Sequence, residues 1–210
     1  MRGIVRVVFL LSFTMAFGQY SWSPATIYME NDSIVKGEAV IRQGGKFRFQ
    51  PKESLRFRQN KKDKAKKIEI NKIDSIHFTV KYTEKVNKRK VKKQSQALYV
   101  TMYVEEDRER LHFLEVLKKG SVTLFGRTFG GGGGMSFMPG GTNIPMFRFY
   151  GGHNQLFLSK GNDMAEIMYD SKDIATFFSD CNALAEKVIA EKLGKDDLKT
   201  IIEYYESNCD

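Results

Sequence analysis

From Trp22 to Lys160 the chain alternates apolar and polar residues in short runs. "ATIYMEN" (25–31) is turned by Asp32-Ser33 and returned by "IVKGEAVI" (34–41). "GGKFRFQ" (44–50), "SLRFRQ" (54–59) and "KKIEI" (66–70) follow, bounded by Gly, Pro, Asn or Lys. "SIHFTVKY" (75–82) places Ile76, Phe78 and Val80 on one face and His77, Thr79 and Lys81 on the other. "ALYVTMYVE", "RLHFLEVL", "SVTLFGRTF", "MFRFY" and "NQLFLSK" complete the series. A two-residue period with frequent turn residues predicts strands joined by short connections. About ten of them make an antiparallel sandwich, roll or partly open barrel.

The period changes after Ser171. Ile174, Phe177, Phe178, Cys181, Leu184, Ala185, Val188 and Ile189 recur at helical spacing, and Leu198, Ile201, Ile202 and Tyr205 do so after Gly194. Asp180 and Asp196 are placed to cap helix starts, and Gly194 to end one. The fold class is therefore α+β: mainly antiparallel β, closed by two or three C-terminal α-helices.

The first eighteen residues stand apart. Arg2 and Arg6 precede "VVFLLSFTMAF", which carries no charge, and Ala16 and Gly18 offer small residues before Gln19. A basic start, a short apolar core and a small-x-small exit describe a secretory signal peptide. The core is shorter than the roughly 20 apolar residues a membrane helix needs. Residues 1–18 are read as the signal peptide, 19–160 as the β region and 161–210 as the helical region. The β region is read as one unit or as two small β modules with a break near 83–96. No later segment is apolar enough for a membrane helix.

Charge divides the chain as well. The net +9 is concentrated in residues 51–95, which hold sixteen basic and five acidic residues. Residues 163–210 hold five lysines and twelve acids. Two runs dominate the basic part: Lys61, Lys62, Lys64, Lys66 and Lys67, then Lys85, Lys88, Arg89, Lys90, Lys92 and Lys93. Lysine-rich hairpins protect edge strands from wrong pairing. They also attract anionic surfaces such as lipopolysaccharide headgroups or acidic glycans. Nucleic acid is not expected as a partner, because both runs lack interleaved aromatics and the leader directs the chain outward.

Other chemistry is sparse. Phe129–Gly141 holds seven of the eighteen glycines, with Gly130–Gly134 consecutive. Neither G-x-x-x-x-G-K-[ST] nor G-x-G-x-x-G occurs there, and a strand-like run follows, so the stretch is read as a long loop that binds no nucleotide. Its apolar Met135, Phe137 and Met138 leave docking on the body or on a partner open. His77, His112 and His153 show no metal-ligand spacing, and no G-x-S-x-G elbow occurs. Glu105, Glu106 and Asp107 read as a solvated hairpin tip. No cofactor, metal site or catalytic residue is expected.

Several of these segments resemble uncharacterised secreted proteins of Bacteroidetes. "WSPATIYMENDSIVKGE" (22–38) is similar to their opening, and "SLRFR…KKIEINKIDSIHF" to the segment that follows. "FLEVLKKGSVTLF" looks like their central hairpin and "FFSDCNALAEKV…IIEYYESNC" like their helical tail, although Asn182 stands where they carry proline. The resemblance implies an exported bacterial protein and brings no activity or site residues with it.

Export also bears on Cys181 and Cys209, the two cysteines of the chain. In an oxidising compartment they have no competing partners. A helical hairpin about Gly194 would set the start of one helix beside the end of the other, so a disulfide is expected; two buried free thiols are the alternative. The functional expectation is a non-catalytic exported protein, binding or structural, in the periplasm or at the cell surface. Its partner would be an unknown envelope protein or an anionic surface. Binding of anionic polymers through the lysine hairpins and an unrecognised hydrolase are the alternatives.

Overall fold

The computed structural model describes residues 22–42, 53–86, 89–129, 153–161, 163–194 and 197–209. The expected strands at 44–50 and 146–150, the glycine run and the leader lie outside these residues. Ten strands form one sheet: β1 (Ser23–Met29), β2 (Ile34–Arg42), β3 (Ser54–Arg58), β4 (Lys66–Glu69), β5 (Ile73–Val86), β6 (Arg89–Val104), β7 (Asp107–Lys118), β8 (Val122–Phe129), β9 (His153–Lys160) and β10 (Glu166–Ile167). Their order across the sheet is β10-β9-β8-β7-β6-β5-β1-β2-β3-β4, and every named neighbouring pair is antiparallel. Nearly sequential order follows from the short turns: each strand returns along its predecessor. β1 is the exception, inserted beside β5.

The sheet curls in opposite senses at its two ends. On one face, Ile27, Ile41, Leu55, Ile76, Phe78 and Tyr99 share a core with Phe113 of β7. Strands three or more places apart in the sheet thus meet around one apolar interior. Gly37 contributes by lacking a side chain: a Cβ there would lie 2.6 Å from the Phe57 ring. At the other end the opposite face closes. Val104, Leu114, Phe125, Phe157, Ala165 and Ile167 cluster there. A parallel bridge from Val104 to Ala165 brings the chain just before β10 round to β6.

Three helices cover the outside of that second curl: α1 (Ser171–Phe177), α2 (Asn182–Ala190) and α3 (Leu198–Asn208). Ile174, Phe178, Leu184, Val188, Leu198, Ile201 and Ile202 pack on Val122, Leu124, Leu156 and Leu158. The expected helical stripe is therefore real, but its caps differ. Asp170 caps α1, accepting from the Lys172 and Asp173 N–H groups. Asp180 caps no helix; its carboxylate accepts from Lys160 (2.7 Å) and the Tyr205 hydroxyl (2.6 Å). Asp196 lies outside the described residues. Cys181 and Cys209 are joined by a disulfide, with Cα atoms 5.8 Å apart, tying the start of α2 to the end of α3.

Candidate anion-binding face

The two lysine runs form two separate structures. Lys61, Lys62 and Lys64 are exposed in the β3–β4 turn, and Lys66 and Lys67 are exposed on β4. Asn60 and Asp63 shape that turn: the Asn60 N–H donates to Asp63 Oδ2 (2.8 Å) and the Asp63 N–H to the Asn60 carbonyl (3.0 Å). Arg58 buttresses it by donating to the Lys61 carbonyl (3.1 Å).

The second run lies along the β5–β6 hairpin. β1 pairs with β5 only up to Phe78, and β7 with β6 only from Tyr99. The eight pairs from Thr79↔Gln96 to Val86↔Arg89 have no third strand beside them among the described residues. At about 3.3 Å per residue this is a two-stranded ribbon about 25 Å long. Lys85 and Lys90 occupy opposed positions in it, Lys92 opposes Thr83, and Lys93 opposes Tyr82. Arg89 faces Val86 at the ribbon's end. Lys92 and Lys93 are exposed, and Lys88 lies outside the described residues. Because β5, β1, β2 and β3 alternate in direction, the β3–β4 turn and the β5–β6 ribbon sit at opposite ends of the sheet. The two runs are not brought together.

Between them lies a face on which Lys67 of the first run meets arginines that belong to neither run. Cross-strand partners share a face. Arg56 and Lys67 stand directly opposite each other, both exposed, and neither has an ion-pair partner among the described residues. Arg42, also exposed, opposes Ser54, two residues from Arg56 on the same face. Like charges placed opposite one another destabilise a ladder. Arg58 differs. It grips Glu38 through Nε and Nη2 (2.8 and 2.7 Å) and stacks over Trp22, 4.2 Å from the ring centroid. Farther along, Tyr28 meets His77 edge-on at 5.2 Å, and both rings are exposed.

Two carboxylates, Glu53 buried and Glu115 half-buried, were not foreseen from sequence. β7 and β8 part beyond the Glu115↔Gly126 pair, and Glu53 fills the split. It accepts from the Phe113 N–H (2.9 Å), His112 Nδ1 (3.2 Å) and the Arg127 guanidinium. Burial raises the Glu53 carboxyl, but the His112 hydrogen bond, the Arg127 charge and the Phe113 N–H outweigh it, holding the group below its ordinary value. His112 Nε2 lies 3.2 Å from Asp107 but is not aligned with it as a hydrogen bond. Glu105 and Glu106 do sit in the β6–β7 turn, yet Glu106 accepts from the Ile167 N–H (3.0 Å) instead of facing only solvent. The second carboxylate, Glu115, is pushed up to about 7 by burial, partly offset by the Tyr99 hydroxyl at 2.9 Å.

The Glu53 cluster joins a histidine to two acids, the beginnings of a proton relay. Among the described residues, however, no hydroxyl or thiol is bonded to His112, and Glu53 is committed to a backbone N–H and an arginine. Its chemistry is cohesion: it fastens the start of β3 to β7 and β8. No group of three or more His, Cys, Asp or Glu is placed to hold a metal among the described residues. No described helix is long and apolar enough to cross a membrane.

No family model, curated protein or solved structure matches this chain. Its chemistry must be read from its own residues. A sequence signal for the cationic face existed in "SLRFR", where Arg56 and Arg58 alternate with Leu55 and Phe57. What the alternation did not carry was the neighbour, since Lys67 arrives through the β3–β4 pairing.

Proposed function

We propose that this is an exported, non-catalytic binding protein that engages anionic surfaces or polymers in the periplasm or at the cell surface. The observation that carries the reading is the opposition of Arg56 to Lys67, exposed and unpaired among the described residues. Juxtaposed cations are tolerated most readily where an anion completes the arrangement. The exposed lysines of the β3–β4 turn add a long-range field that raises the encounter rate with a polyanion. Export, expected from residues 1–18, would bring the protein to acidic glycans and phosphorylated headgroups.

Retention on immobilised heparin and on lipopolysaccharide, followed across a salt series, tests the reading. Binding that disappears at moderate salt, and that weakens when Lys61, Lys62 and Lys64 become Gln, is the expected result. No retention on either matrix at low salt would overturn it.

A further inference from the structure

The structure points to a defined ligand track on this face, and we infer that it holds an extended anionic polysaccharide. The inference rests on the anion-binding reading and adds to it a location and a ligand class. The track is the outer side of β1–β4 and the neighbouring β5, opposite the apolar core of Ile27, Ile41, Leu55, Phe57 and Ile76. At one end Arg42, Arg56 and Lys67 occupy three adjacent strands. Cross-strand partners lie about 5 Å apart and diagonal neighbours about 7–8 Å. At the other end Tyr28 and His77 present exposed rings, and Lys36 stands exposed beside them, opposite Thr26.

Register sets the length of the track. Ser23 opposes Ala39 on β2, and Ala39 opposes Phe57 on β3. Arg56 is therefore level with the residue just before β1, six positions from Tyr28. At about 3.3 Å per residue the cationic and aromatic ends are about 20 Å apart. A single phosphate or sulfate occupies only one end. A ligand that uses both must be a chain.

The chemistry of the two ends selects the kind of chain. The guanidinium groups and the ammonium recognise carboxylate or sulfate oxygens. The negative ring face of Tyr28 attracts the polarised C–H face of a sugar. Carboxylates do not cancel the field. Glu38 is neutralised by Arg58, and the face then keeps Lys36, Arg42, Arg56 and Lys67 against Glu69, which opposes Ser54 at the rim. A bilayer would present a plane of headgroups to the whole lobe and would require no linear track. A nucleic acid strand would stack its bases at close intervals, whereas this face offers the Tyr28–His77 pair at one end and, at the other, a Trp22 ring already covered by Arg58.

A size-graded series of heparin oligosaccharides provides the test, with neutral dextran, single-stranded DNA and phosphatidylglycerol vesicles as comparisons. Affinity should rise with oligosaccharide length and level off once the chain spans about 20 Å. The double variant R42Q/R56Q, whose side chains are exposed, should keep the wild-type melting temperature and lose tenfold or more in affinity. Y28A should lose severalfold for long oligosaccharides and little for the shortest. Binding of heparin that R42Q/R56Q changes by less than twofold would overturn the track and leave the broader reading standing. Absence of binding to any polyanion would overturn both. Tighter binding of DNA or vesicles than of heparin, with the same dependence on Arg42 and Arg56, would overturn the ligand class.

Discussion

Glu115 is a carboxyl that the fold holds partly protonated at neutral pH. Its value rises from 4.5 to about 7 because burial penalises the charged form. The folded state therefore binds the proton more tightly than the unfolded chain, and the stability Glu115 contributes is fully present below pH 4.5 and lost between there and about 7. The loss is up to about 3 kcal/mol, with none further above that window. E115Q should flatten the slope between pH 5 and 7 and be more stable than wild type at pH 8 by urea denaturation. Glu53 behaves in the opposite sense. Its carboxyl lies below 4.5, so its contribution is complete above that pH and is lost as pH falls through the folded value. E53Q leaves the Arg127 guanidinium without its buried anion and should cost about 3 kcal/mol at pH 7. The deficit should shrink in acid; a deficit independent of pH would show that packing, not charge, is what Glu53 supplies.

At the scale of elements, alternation and helical spacing reported kind more reliably than extent. β5 and β6 were legible as "SIHFTVKY" and "ALYVTMYVE", yet they run on to Val86 and back from Arg89. The lysines obscured this because charged residues weaken the apolar period that marks a strand. Strand pairing in the ribbon is local, needing only the opposite strand, so it continues past the point where neighbours end. α1 was legible as the Ile174–Phe177 start of the helical stripe, but its extent was not. Its seven residues supply only two buried positions, Ile174 and Ala175, and β10 precedes it inside the segment expected to be helical. The helices are held down by the disulfide, by Lys160 reaching the Phe177 carbonyl (2.9 Å), and by Lys118 bonded to Glu206 (2.8 Å). With its ends 28 positions apart in the chain, the bridge contributes roughly 3.5 kcal/mol by restricting the unfolded chain. Native protein should show no alkylatable thiol, and C181S/C209S should lower the urea midpoint accordingly. Two reactive thiols before reduction would contradict the bond.

Across the whole molecule, the expectations bear on processing and on the glycine segment. Protein recovered after export should begin at Gln19, as read by mass spectrometry, because Ala16 and Gly18 supply the small residues at the cut. Native protein retaining Met1 would remove the basis for export and for an extracellular ligand. Deletion of residues 130–141 joins β8 to β9 by a shorter connection. Those strands already pair from Val122↔Lys160 to Phe129↔His153, so the deletion should leave the melting temperature within a few degrees. Global unfolding would mean that Met135, Phe137 and Met138 belong to the core.

The residues by themselves determined what depends on near neighbours. Period-two alternation specified strands, period 3.6 specified the helical tail, and two lone cysteines specified the bridge, because each signal lies within one turn, one hairpin or one chemical type. Tertiary structure decided what depends on partners far along the chain. Nothing near Glu53 announces that β7 and β8 part to receive it, some 60 residues later. Nor does local sequence set Arg42, Arg56 and Lys67 on neighbouring strands; the curl and register of β2, β3 and β4 do that. A charge on a strand can be read from its letter, but the field it makes depends on which strand is paired beside it.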